Sequence, residues 1–175
     1  MHWDSSDYER LELPPRDPNV VDVSAGHYAV GEAPMVLVAP ALGSCVGVAL
    51  YDPQAQRGAM AHVMLPRPVD AEAGGLMERF AEHAVPRLVN ALREQGSLQS
   101  RLVAKLAGGA AMFRADSILA TIGERNVAEV KRQLTLLRVP VLAEDTGGSH
   151  ARTVELHLET GVLLVRSYLH GVREL

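Results

Sequence analysis

Apolar residues in the first third of the chain fall in short runs at 20–24, 27–30, 35–39, 44–51 and 58–65. Apolar and β-branched runs of this length, several of them alternating with polar positions, are the signature of strands, so an antiparallel β-rich first half is expected. The period then changes. Leu76, Phe80, Ala84, Leu88 and Leu92 recur every fourth residue and stop before Gly96, which predicts a helix over 76–95. Pro86 lies inside it and removes a backbone donor while crowding the preceding turn, so it either kinks the helix or divides it. Val127, Val130, Leu134 and Leu137, spaced by threes and fours, predict a second helix over 123–138. Further strands are expected at 101–107, 139–143, 153–158 and 162–167, with Gly108-Gly109, Thr146-Gly147-Gly148 and Thr160-Gly161 read as turns. The pattern describes one α/β (α+β) domain of β-meanders with two principal helices packed on the sheet.

Composition narrows the setting. A chain of 175 residues can bury roughly 70% of its unfolded surface and needs neither disulfide nor metal staple to fold. The net charge of −4, with no basic block longer than Lys131-Arg132, argues against a nucleic-acid or anionic-membrane surface. Asp4, Asp7, Glu9, Arg10 and Glu12 precede any apolar stretch, and Cys45 is the single cysteine, so an unexported, cytoplasmic protein is expected. Residues 1–18 carry these charges with Pro14, Pro15 and Pro18 and are expected to form a flexible tail, leaving 19–170 as the folded domain. The uncharged stretch 33–51 approaches the length of a membrane span. Pro34, Pro40, Gly43 and Gly47 divide it into strand-sized pieces, so no membrane insertion is expected.

The candidate chemistry lies on the predicted hairpin formed by 44–51 and 58–65. In the first strand Ser44, Val46, Val48 and Leu50 alternate with Cys45, Gly47, Ala49 and Tyr51, and the even positions read as the core face. A turn centred on Pro53-Gln54 puts Cys45 opposite His62, and a turn centred one residue later makes them diagonal neighbours on the same face. An intermediate register would send them to opposite faces. A Cys and a His so placed can form a thiolate and imidazolium pair, and Gly43 permits a tight turn that presents backbone N–H groups near Cys45 to an oxyanion. A lone Cys and a strand His also serve as ordinary packing residues, so this pairing is conditional on the register. The remaining histidines show no zinc-ligand spacing, and no phosphate-cradling glycine motif is present, so neither metal nor cofactor is expected.

Several ordered blocks give the chain a family likeness. Leu42-Gly43-Ser44-Cys45-Val46, Tyr51-Asp52-Pro53, the run 58–66 (GAMAHVMLP), 105–112 (KLAGGAAM), 122–127 (IGERNV) and 143–152 (AEDTGGSHAR) resemble the CheD family of chemoreceptor glutamine deamidases. The resemblance spans about residues 21–167. It implies a three-layer α/β sandwich and a hydrolase that converts glutamines of methyl-accepting chemoreceptors to glutamates. Cys45 falls on the family's nucleophile and His62 on its general base, and a CheC-type phosphatase is an implied partner. The family usually carries a Thr six residues before the Cys, where this chain has Ala39 followed by Pro40. Ser44 or Thr146 could supply a hydroxyl in its place. A weakly active or inactive regulatory module that docks on chemoreceptors or a CheC-type phosphatase is the alternative reading, and a redox sensor is disfavoured because the chain has no resolving cysteine.

Overall fold

In the computed structural model, residues 15–70 and 73–175 are described. The elements run β1 (Val20–Asp22), β2 (Tyr28–Glu32), β3 (Val36–Leu42), β4 (Val46–Asp52), β5 (Arg57–Val63), α1 (Ala81–Glu94), β6 (Val103–Gly108), α2 (Ile122–Leu136), β7 (Val141–Thr146), β8 (Arg152–His157), β9 (Leu163–Ser167) and β10 (Gly171–Glu174). They form two five-stranded sheets, ordered β1-β3-β8-β9-β10 and β2-β5-β4-β6-β7. Two apolar cores result. One lies between the second sheet and the helices, with Val46, Val48 and Leu50 of β4 meeting Leu88 and Leu92 of α1 and Val130 and Leu134 of α2. The other lies between the sheets and gathers Leu37, Ala39, Ala49, Met60, Val154 and Leu156. Helices, sheet and sheet make three layers, in agreement with the expected sandwich.

Strand β4 explains the layering. Every residue from Val46 to Asp52 is buried, so both faces of the strand need cover, not only the even face that alternation suggested. The expectation of simple meanders is therefore corrected. Strands of the first half are divided between the sheets, β3 pairs with the distant β8, and β4 pairs with β6 as well as β5. The pairs β1–β3 and β6–β7 are parallel, while the other pairings between named strands are antiparallel.

The helix expected over 76–95 begins later, because Met77–Arg79 form a single 3₁₀ turn and Phe80 is extended, bridged to Leu65. Pro86 neither divides α1 nor ends it. It stands in the second turn, where the lost hydrogen bond concerns only the Glu82 carbonyl near the open end of the helix. β10 lies past the expected boundary at 170 yet pairs with β9 along its length. The proposed tail falls outside the described residues as far as 14, and residues 15–18 are exposed. No helix among the described residues is long and apolar enough to cross a membrane.

Candidate active site

The β4–β5 hairpin fixes the relation of Cys45 to His62. Its register pairs Val46 with Val63 and Gly47 with His62. Cys45 stands two residues before Gly47, the partner of His62, so His62 is its diagonal neighbour on the same face just where the ladder ends. This is one of the two registers that keep the pair together. At the other end of the hairpin the Asp52 carboxylate accepts the N–H groups of Gln54 (3.1 Å) and Ala55 (3.3 Å) and forms a 2.8 Å ion pair with Arg101. Burial alone would raise the Asp52 pKa, but its bonds to Ser97, Ala55 and Arg101 outweigh burial and hold it below the usual carboxylate value.

His62 is buried, and its Nδ1 lies 3.0 Å from the Val23 carbonyl oxygen. A carbonyl only accepts, so Nδ1 carries the proton and Nε2 keeps its lone pair for a substrate or a thiol. The segment between β1 and β2 wraps this residue further: Gly26 N–H donates to the His62 carbonyl and His62 N–H to the His27 carbonyl. Burial pushes the imidazole below its ordinary value of 6.5, against the Val23 bond. Burial likewise raises Cys45 above 9.0, opposed by its own backbone N–H. Both groups are thus driven toward their neutral forms. Both shifts favour the uncharged thiol and imidazole over the thiolate–imidazolium pair.

Cys45 is half-buried and precedes β4 in a turn whose carbonyls are all engaged. Gly43 O accepts from Ala110 N–H at 2.9 Å, Ser44 O from Asn126 Nδ2 at 3.0 Å, and Cys45 O from Gly109 N–H at 2.8 Å. Among the described residues neither the Ser44 nor the Cys45 N–H donates to a backbone carbonyl. These N–H groups are what an oxyanion formed at the sulfur would need. The glycine pair read as an ordinary turn is the strap that makes this turn possible. Gly108 has φ +107°, and a β-carbon there would come within 2.2 Å of the Cys45 carbonyl oxygen, an approach only glycine tolerates. Gly147 N–H and the Gly148 carbonyl tie the same strap to the loop after β7.

The other sequence candidates separate. Gly43 and Ser44 belong to the turn that carries Cys45, with Met112 packed so close over Gly43 that a β-carbon there would sit 3.1 Å from its side chain. Thr146 does not join them. It pairs with Gly108, which pairs with Val46, and so it faces the helix side of the sheet. There it lines a cavity with Glu124, Val127, Ala128 and Lys131, across the sheet from the Cys45 face. Ala39 is fully buried in the intersheet core against which Cys45 packs, just before a bulge at which Ala41 has φ 53°. Among the described residues no group of three or more His, Cys, Asp or Glu could hold a metal ion.

Sequence reading missed Val23, whose contribution is a backbone carbonyl that no side-chain pattern reveals. It also missed Asn126. That residue falls one turn after Ile122 and one turn before Val130 on the buried stripe of α2, and a polar residue on an apolar stripe is the signal that marks it.

The family described as CheD chemotactic sensory transduction matches residues 64–167. The probable chemoreceptor glutamine deamidase CheD 2 of Geobacter metallireducens is 41% identical over 159 residues, which cover 89% of this chain and 98% of the relative. The chemoreceptor glutamine deamidase CheD of Thermotoga maritima is 48% identical over 147 residues, covering 82% of this chain and 89% of the relative. Among solved structures, the Bacillus licheniformis hypothetical protein YfiH has a TM-score of 0.43 at 13% identity, over 65% of this chain and 49% of that one, a likeness too remote to carry an argument. The family match begins after both Cys45 and His62, so their roles are argued from geometry.

Proposed function

This chain belongs to the CheD family, and we propose that it hydrolyses glutamine side chains of methyl-accepting chemoreceptors to glutamate, with Cys45 as nucleophile and His62 as general base. The observation that carries the assignment of roles is the Nδ1 bond from His62 to Val23, which leaves Nε2 as a base on the face that Cys45 shares.

The resting neutrality of the pair shapes the mechanism. Nε2 takes the thiol proton as sulfur attacks the carboxamide carbon, so the thiolate forms only as it is consumed. The N–H groups of Ser44 and Cys45 receive the developing oxyanion. As the imidazole becomes cationic, the Val23 carbonyl stabilises it through Nδ1–H. His62 then hands its proton to the departing nitrogen, which leaves as ammonia, and a thioester remains. Water, deprotonated by Nε2, attacks that thioester; collapse expels the sulfur, which regains its proton and releases glutamate.

Ala39 contributes no hydroxyl to the intersheet side of this site. Its loss is expected to slow turnover by one to two orders of magnitude, taking the low end of general-base contributions. The single thiol favours a reducing compartment, and the reaction is assigned to the cytoplasm. A CheC-type phosphatase is the regulatory partner that the family likeness suggests, and co-elution of the two purified proteins tests it. Ammonia release from a chemoreceptor cytoplasmic fragment, with mass-spectrometric detection of the Gln→Glu change, tests the activity. Binding of that fragment without turnover would favour the regulatory module.

A further inference from the structure

Beyond Val46 and Val63 the two strands of the catalytic hairpin part company. The β4 side turns toward the 108–110 strap, where Gly109 and Ala110 bond to Cys45 and Gly43. The β5 side turns the other way, with Met64 and Leu65 N–H groups both donating to the Arg79 carbonyl. The side chain of Asn126 stands in this fork. It is fully buried, and its Nδ2 donates to Ser44 O at 3.0 Å and to Met64 O at 2.9 Å. One carbonyl belongs to the residue before the nucleophile, the other to the second residue after the base.

Resting on the assignment of Cys45 and His62 above, we infer that Asn126 is a positioning residue that sets the opening between them. Its two N–H bonds take over where the ladder stops, holding the strand ends joined yet apart. The orientation of its amide is dictated by the two carbonyls, and its Oδ1 is left buried without a hydrogen-bond partner among the described residues. A buried amide with an unsatisfied oxygen is a costly way to fill space. An apolar residue would pack this stripe of α2 more cheaply but could not bridge the fork. Asn126 itself reaches no reacting atom by this account. It acts through the Ser44–Cys45 turn and the end of β5, so its loss should alter turnover more than substrate binding.

The test compares Asn126→Leu, which keeps the size and removes both donors, with Val130→Ala, one turn along the same buried stripe. Melting temperature, kcat and KM on a chemoreceptor fragment are measured for each, with Cys45→Ala in parallel. The expected result is that Asn126→Leu lowers kcat about tenfold or more with KM changed by less than about twofold, while Val130→Ala loses stability but keeps kcat. Should Asn126→Leu not fold, Asn126→Ser, which retains one donor, carries the same comparison. A folded Asn126 variant with wild-type kcat overturns the inference, as does a loss that follows melting temperature equally in Val130→Ala. If Cys45→Ala still releases ammonia, the assignment of the nucleophile fails instead.

Discussion

The imidazole of His62 is held by a backbone carbonyl: its Nδ1 lies 3.0 Å from Val23 O, which leaves Nε2 free on the face shared with Cys45. No acidic side chain is needed to set the tautomer. A neutral carbonyl steadies an imidazolium less than a carboxylate does, and burial shifts both Cys45 and His62 in the direction of their uncharged forms.

The pH profile should show this neutrality. Because burial lowers His62 below 6.5, activity is expected to persist as pH falls through that value, with the acid limb of kcat/KM below it. Because burial raises Cys45 above 9.0, thiolate absorbance should appear only above that pH. An acid limb above the ordinary imidazole value, or a thiolate already present at neutral pH, would contradict the mechanism.

Stability should follow His62 as well. Its folded pKa lies below its unfolded one, so between the two values the unfolded chain binds more protons and folding weakens as pH falls. The contribution is fully present above about 6.5 and is lost on acidification toward the lowered folded value. Denaturant unfolding at several pH values should show a shallower loss in His62→Gln than in the wild type. Equal slopes would place the pH sensitivity elsewhere.

Ala39→Thr places a hydroxyl in the intersheet core against which Cys45 packs. Turnover is expected to rise by roughly 10- to 100-fold. Two extra heavy atoms at a fully buried position should cost about 1–3 kcal/mol through overpacking. Steady-state kinetics with thermal unfolding of the variant check both. Unchanged kcat in a folded variant would mean that the hydroxyl has no part in this chain's reaction.

Gly108→Ala places a β-carbon against the Cys45 carbonyl at a positive φ. Strain and clash together should cost about 3 kcal/mol, and the displaced turn should lose most of its turnover. By contrast, Asp52→Ala acts at the far end of the hairpin and strands the Arg101 guanidinium. A loss of about 3 kcal/mol with kcat preserved is expected, the low end for breaking a buried pair. Chemical denaturation and kinetics on both variants separate the two effects.

Much of this was legible in the sequence. Alternation along 44–51 and turn residues at 52–57 put Cys45 and His62 on one face in two of three hairpin registers, and periods of three and four located both helices. The division into two sheets was not legible from pattern, because β4 is covered on both faces and a local run cannot say which distant strand covers it. β10, exposed along its length, lacks the apolar rhythm that betrays a buried strand. Thr146 read as a candidate because it offers a hydroxyl in place of the one missing at Ala39, but strand pairing turns its side chain to the helix side. Val23 acts through its backbone, and Asn126 through a fork that only the folded chain creates.

The central claim is tested most directly by ammonia release and Gln→Glu conversion in a chemoreceptor cytoplasmic fragment, comparing wild type with Cys45→Ala and His62→Ala. Slow but measurable conversion by the wild type, abolished in folded Cys45→Ala and strongly reduced in folded His62→Ala, is the expected result. Conversion at the wild-type rate by either variant would contradict the account.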